Sequence, residues 1–263
     1  MKTKKQKILR QKSNFWPLSD APIAIAHRGG DAAGYERRNT MSAFEAAWKM
    51  GYRYFETDVV STKDRRVVIS HGAYIGLTAR MRGTHTLKIL QSLTYEEIKQ
   101  RLTVAGEEII LLEDLLNKFP KAKFFIDPKT DNAVESLAGV IQKTKAHDRI
   151  CVGSFYYKRV QHMHKLLGDK VQLALIIGRN LRLIYPNLRK LKRGQLEYIS
   201  AVYIHHSYVS KPMIGLIHRH GLRVMVWTVN SKLSIKNAIK CGADGIMSDR
   251  IALLSSAVAH LSK

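Results

Sequence analysis

Nine short apolar, β-branched runs recur along the chain, at 23–26, 54–60, 67–70, 123–127, 150–154, 171–177, 201–204, 223–228 and 245–247, with helical patterns between most of them. "TMSAFEAAWKMG", "VESLAGVIQKTKA", "YKRVQHMHKLLG", "KPMIGLIHRHG" and "SKLSIKNAIKCG" show helical periodicity, and several open on Ser or Thr and close on Gly, as helix caps do. Strand and helix alternating in this way require parallel strands joined by crossover helices. About eight such units in 263 residues predict a closed (β/α)8 TIM barrel. An open doubly wound sheet is the alternative, but "HRGGDAAG" after the first run does not match the glycine fingerprint of that fold.

The chain reads as a basic N-terminal arm over residues 1–20 followed by one barrel domain over 21–263. The first twelve residues are expected to fray or lie on the surface, because they are basic and carry no apolar periodicity. The stretch "HGAYIGLTARMRGTHTLKILQSLTYEEIKQ" interrupts the rhythm, and rim loops ending in a short helix are expected there. No apolar run approaches the 18–20 residues that cross a bilayer, and no apolar signal core follows the basic start, so a cytoplasmic protein is expected. Cys151 and Cys241 lie far apart without metal-ligand spacing, as buried free thiols in a reducing compartment would.

Lys and Arg number 44 against 21 Asp and Glu, a net charge of +23. Such an excess favours anionic partners. Nucleic acid is disfavoured, because no zinc-finger, RNA-recognition or basic-zipper pattern is present. The basic arm offers a peripheral contact to anionic membrane; a solvated tail is the alternative.

Chargeable residues gather where the apolar runs end: His27 and Arg28, Glu56 and Asp58, His71, Asp127 and Lys129, Ser154 and Phe155, His205 and His206, Trp227, and Ser248 and Asp249. In a parallel barrel these ends form one rim, where active sites are built. Alternation puts Glu56 and Asp58 on the same side of their strand, and likewise Asp127 and Lys129. Taken singly, a strand-end His is commonly structural, "DPK" can be a turn, and Trp227 can be core. Recurrence at one end of successive strands favours a site. Three converging carboxylates repel one another unless a cation neutralises them, and hard oxygen ligands suit Mg2+ or Ca2+. Two imidazoles beside such a cation suit general acid–base work on a phosphoryl or acyl centre, with Arg28 and Lys129 binding anionic oxygens. No nucleophile elbow is present, so phosphodiester hydrolysis is the better fit.

"AHRGG…NTMSAFEAAWKMGYRYFETDVVSTKDRRVVISH" resembles the signature of glycerophosphodiester phosphodiesterases, and "LLEDLLNKFPKAKFFIDPK", "CVGSF", "VMVWTVN" and "GADGIMSD" resemble their later blocks in order. The resemblance covers nearly the whole chain. It implies a (β/α)8 barrel, a divalent cation, and hydrolysis of a glycerophosphodiester to glycerol 3-phosphate and an alcohol. It further implies that His27 and His71 are the acid–base pair and that Glu56, Asp58 and Asp127 are the metal ligands. Arg28 and Lys129 match its phosphate-binding positions, and Trp227, with Phe155 beside it, its apolar substrate wall. Asp127 is shorter than the Glu usual at its position. Two departures stand out: Arg38 replaces the Glu of the E-N-T block, and Gly72 replaces the Asp after the second His. Arg38 is expected to make the pocket more positive, binding anions tightly and turning over slowly. Two other functions follow from the same residues: a weakened barrel that binds phosphodiesters or lipid headgroups, and a phosphodiesterase for larger lysophospholipid diesters.

Overall fold

The computed structural model describes residues 15–16, 21–71, 84–178 and 197–259. The lysines and arginines of 1–12, Gly72 and the basic stretch 179–194 lie outside the described residues. Eleven strands are present among the described residues: β1 (Ile23–His27), β2 (Tyr54–Ser61), β3 (Val67–Ile69), β4 (Thr103–Val104), β5 (Glu107–Glu108), β6 (Lys123–Pro128), β7 (Ile150–Ser154), β8 (Gln172–Ile177), β9 (Ala201–His205), β10 (Arg223–Trp227) and β11 (Gly245–Ser248). Eight of them pair in parallel in the order β1, β11, β10, β9, β8, β7, β6, β2, and β1 pairs with β2 to close the ring. This is the expected TIM barrel.

Of the nine runs expected as strands, eight build the barrel and one does not. β3 turns back on β2 and pairs with it antiparallel, Val59 opposite Ile69 and Ser61 opposite Val67. Its apolar composition resembles a barrel strand because all three residues are buried. Of the interrupting stretch, 72–83 lie outside the described residues; the rest carries a helix at Thr84–Ser92 besides the expected short one at Tyr95–Arg101, which a Thr94–Glu97 capping box opens.

Alternation along the strands divides the core in two. Phe55, Val59, Phe124, Ile126 and Val152 face outward and pack under helices such as Met41–Lys49 and Asn132–Lys143, forming the larger apolar layer. Each such fully buried side chain contributes roughly 1.5–3 kcal/mol. Ile25, Phe125, Cys151, Ala174, Tyr203, Met225 and Met247 fill the barrel interior. Phe15 and Trp16 join this second cluster, which corrects the reading of 1–20 as arm throughout. Phe15 is fully buried, its ring 5.0 Å from that of Phe125. Trp16 Nε1 donates to Gln172 Oε1 at 3.1 Å, and Phe15 O accepts from Tyr54 at 2.8 Å and Lys123 at 3.0 Å. An isolated aromatic pair just after a basic segment gives no periodic signal, so only the fold reveals that it packs into the barrel interior.

Cys151 is buried and Cys241 half-buried, both as free thiols. Among the described residues no helix is long and apolar enough to cross a membrane.

Candidate active site

The His27-Arg28-Gly29-Gly30 turn leaves β1 through three successive left-handed residues, with φ of 55°, 81° and 78° at Arg28, Gly29 and Gly30. Glycine is required at both positions. A Cβ on Gly29 would lie 2.9 Å from the Ala43 backbone, and one on Gly30 2.3 Å from Ile251. The turn folds Arg28 back over the barrel mouth while its N–H donates to Glu56 O. Asn39, also left-handed at φ 68°, accepts the buried Thr57 hydroxyl at 2.9 Å and so braces β2 between its two carboxylates.

Register then brings the side chains together. His27 stands beside Glu56 across β1–β2, and Asp58 beside Asp127 across β2–β6. His71 reaches the same place by another route. Because β3 returns antiparallel, the chain descends towards the rim, Ser70 N donates to Asp58 O, and His71 follows. His71 is therefore a site neighbour without being the end of a barrel strand.

A cavity of about 180 Å³ opens at this end of the barrel. On one side it is lined by His27, Arg28, Glu56, Asp58, His71, Asp127 and Lys129, and on the other by Phe155 and Trp227, whose rings meet edge-to-face at 5.5 Å. All nine residues expected to act in the site thus share one cavity, whereas Ser154, His205, His206, Ser248 and Asp249, also noted at strand ends, are not part of its lining. Phe125, Tyr203 and Met247 form part of its apolar lining and were not expected there; as interior positions of alternating strands, they read as core.

The charges interlock. Asp58 lies 2.9 Å from Arg28 Nε and 2.6 Å from Lys129 Nζ, and Lys129 also donates to Asp127 at 2.6 Å. Burial would raise the Asp58 carboxyl, but Arg28 and Lys129 hold it well below the usual range. Glu56 has no such cation in contact; burial, then the neighbouring Asp58 charge, push it well above its ordinary value. Burial also raises Asp127. His71 is pulled down to about 4, first by burial and then by Arg28, Lys129 and His27 against the pull of Asp58. His27 is lowered by burial and Arg28, although Asp249 opposes the shift.

Asp249 and Asn230 belong to the site although the sequence reading gave neither a role. His27 Nδ1 donates to Asp249 Oδ1 at 2.7 Å, and Asn230 donates to Asp249 Oδ2 at the same distance. The signal was the position of Asp249 just past a strand end, among the chargeable residues of the rim.

The carboxylates fit a hard divalent cation in kind. They are buried oxygen donors on adjacent strands, and Glu56 Oε2 is a buried acceptor with no hydrogen-bond partner among the described residues. Yet the described residues hold no group of three His, Cys, Asp or Glu already spaced around a cation. Lys129 lies between Asp58 and Asp127 instead, and a cation there would compete with its ammonium.

Residues 27–253 match the Glycerophosphoryl diester phosphodiesterase family. The chain is 31% identical to "Probable glycerophosphodiester phosphodiesterase 2" of Mycobacterium tuberculosis, the alignment covering 88% of this chain and 89% of that protein. It is 29% identical to a glycerophosphodiester phosphodiesterase of Bacillus altitudinis over 86% of this chain and 93% of the relative. Its fold superposes on a crystal structure from Thermotoga maritima with a TM-score of 0.72 at 18% identity, covering 90% of this chain and 98% of that one. It superposes on an Oleispira antarctica phosphodiesterase in complex with its product sn-glycerol-3-phosphate with a TM-score of 0.73 at 19% identity, over 91% and 97% of the two chains. The matched span runs from the first cavity histidine past Asp249, and the chain belongs to the glycerophosphoryl diester phosphodiesterase family.

Proposed function

We propose that the protein hydrolyses glycerophosphodiesters to glycerol 3-phosphate and an alcohol with the help of Mg2+ or Ca2+. The observation that carries this reading is the division of the cavity: two imidazoles, three carboxylates and two cations face an aromatic wall across about 180 Å³. That division suits a phosphodiester whose anionic centre meets the charged side while one alcohol arm lies along Phe155 and Trp227.

His27 is the better placed base. Its Nδ1–H is engaged by Asp249, which leaves Nε2 facing Glu56 and the cavity, 3.5 Å from Glu56 Oε2. A neutral imidazole held in that tautomer accepts a proton at Nε2 from the attacking oxygen. His71 then donates to the departing alkoxide. Its low proton affinity makes it a strong acid once the bound phosphodiester charge has drawn a proton onto it. Glu56, Asp58 and Asp127 would hold the divalent ion, which supplies charge neutralisation at the phosphoryl oxygens. Arg28 and, once displaced from its carboxylates, Lys129 bind the same oxygens. The product bound in the Oleispira enzyme supports glycerol 3-phosphate as the product here.

The test is release of glycerol 3-phosphate from glycerophosphocholine with added Mg2+ or Ca2+ and with excess EDTA. Release that depends on the cation is expected. Full activity in EDTA would overturn the metal, and no release from any glycerophosphodiester with either ion would overturn the substrate.

A further inference from the structure

The family signature places a Glu where this chain has Arg38, and a cation so close to Arg28 is expected to charge the pocket. The structure puts it to a different use. Arg38 is not among the residues lining the main cavity but lines a neighbouring one with Arg28 and His71, and its Nη1 lies 2.5 Å from Asp249 Oδ1. That is the oxygen that accepts from His27 Nδ1. Arg38 is itself held, donating through Nε to Tyr35 O at 2.9 Å, with its guanidinium 3.6 Å from the centre of the Tyr35 ring. On the far side of Asp249, Asn230 donates to Oδ2 at 2.7 Å and accepts from the Asp249 N–H at 3.0 Å.

We propose that Arg38 is a positioning residue, which with Asn230 clamps Asp249 against His27 and so fixes the imidazole with Nε2 towards the cavity. The inference rests on the reading of His27 as the group that takes a proton from the attacking oxygen. A carboxylate can rotate about its terminal bond and offer either oxygen. With Oδ1 taken by Arg38 and His27 and Oδ2 by Asn230, that rotation is blocked. A ring held by one bond to a fixed acceptor has one tautomer and one orientation. The charge of Arg38 is paired with that of Asp249.

Arg38→Ala should lower kcat about 10–100-fold, the usual cost of removing a partner behind an active group, with KM changed less than about twofold. Arg38→Lys should recover part of the loss. In an Asp249→Asn background Arg38→Ala should cost almost nothing more, because the clamp is already gone. The ¹H–¹⁵N correlation of the His27 imidazole in metal-free protein supplies a readout independent of turnover: one Nδ1–H tautomer in the wild type, a mixture in Arg38→Ala. A raised KM at unchanged kcat would show that Arg38 binds phosphate instead and would overturn the proposal. So would a loss that persists beside Asp249→Asn, or an imidazole spectrum indifferent to Arg38. If His27→Ala keeps wild-type kcat, the reading of His27 fails, while the spectrum still reports whether Arg38 orders the ring.

Discussion

The two ends of the barrel interior are built on the same alternating positions and treat polar atoms in opposite ways. At the N-terminal end, Tyr54, Lys123 and Gln172 point inward beside Phe15 and Trp16, and each finds a partner there: Tyr54 and Lys123 at Phe15 O, Gln172 at Trp16 Nε1. At the C-terminal end, Glu56 Oε2 and His71 Nδ1 are buried without a hydrogen-bond partner among the described residues. A buried polar atom without a partner costs about 1–3 kcal/mol, so a fold retains one where something else pairs with it during function. The three side chains around Phe15 and Trp16 are paired within the fold, whereas the two atoms at the cavity are left open for chemistry.

The largest test of that division lies at the top. His27→Ala and His71→Ala should each lower kcat by about 10²–10⁴, the contribution of a placed general acid or base, while thermal unfolding stays near that of the wild type. Steady-state kinetics beside a melting curve decide it. A variant that melts early and keeps its kcat when folded would mark its histidine as structural.

At the bottom the signs should reverse. Phe15→Ala removes a fully buried ring in contact with Trp16, Tyr54 and Phe125, and should cost about 3–5 kcal/mol of stability. Its kcat at a temperature where it is folded should stay within a few-fold of the wild type, a rough expectation for a change away from the reacting groups. A collapse of kcat without a lowered melting temperature would break the division between the two ends.

The same contrast explains what the sequence made legible. Barrel strands announce themselves because burial on both faces demands continuous apolar runs, and charge at their ends is conspicuous against that background. Glu56, Asp58 and Asp127 were found in this way. β3 defeated the reading because its three buried residues have the same composition as a barrel strand, and direction leaves no mark on so short a run. The pairing of Arg38 with Asp249 was not legible because the two lie 211 residues apart, and only closure of β11 against β1 makes them neighbours. Phe15 and Trp16 were hidden for a similar reason, since their contacts are with the far ends of strands that come later in the chain.

Acid should sharpen the comparison further. The imidazole of His71 is depressed to about 4 in the folded protein, while in the unfolded chain it titrates near its ordinary value. Between those two values the unfolded state binds a proton that the folded state refuses. His71 therefore costs the fold nothing above about pH 6.5, and the penalty for keeping it neutral grows as pH falls towards 4, reaching up to about 3 kcal/mol. Urea unfolding across this range, for the wild type and His71→Gln, isolates the term. The variant should lose less stability on acidification, and parallel curves would show that His71 is not held neutral.

The smallest effect concerns Glu56, where function and stability should oppose each other directly. Burial and the Asp58 charge raise its carboxyl, so the ionised form is penalised in the fold relative to the unfolded chain. A raised carboxyl destabilises once pH exceeds its unfolded value, and the penalty is complete only above its folded one. Glu56→Gln keeps the size of the side chain and removes the charge. Without added metal at neutral pH it should be more stable than the wild type by about 1–2 kcal/mol, with the difference shrinking in acid as the wild-type carboxyl takes up its proton. Added Mg2+ or Ca2+ should raise the wild-type melting temperature and move that of Glu56→Gln much less, because a ligand that binds the folded state stabilises it only where the site is intact. The variant should also lose glycerol 3-phosphate release. An equal or lower melting temperature for Glu56→Gln in metal-free buffer would mean that the carboxylate is already satisfied, and the unsatisfied character of the upper barrel would have to be sought at His71 alone.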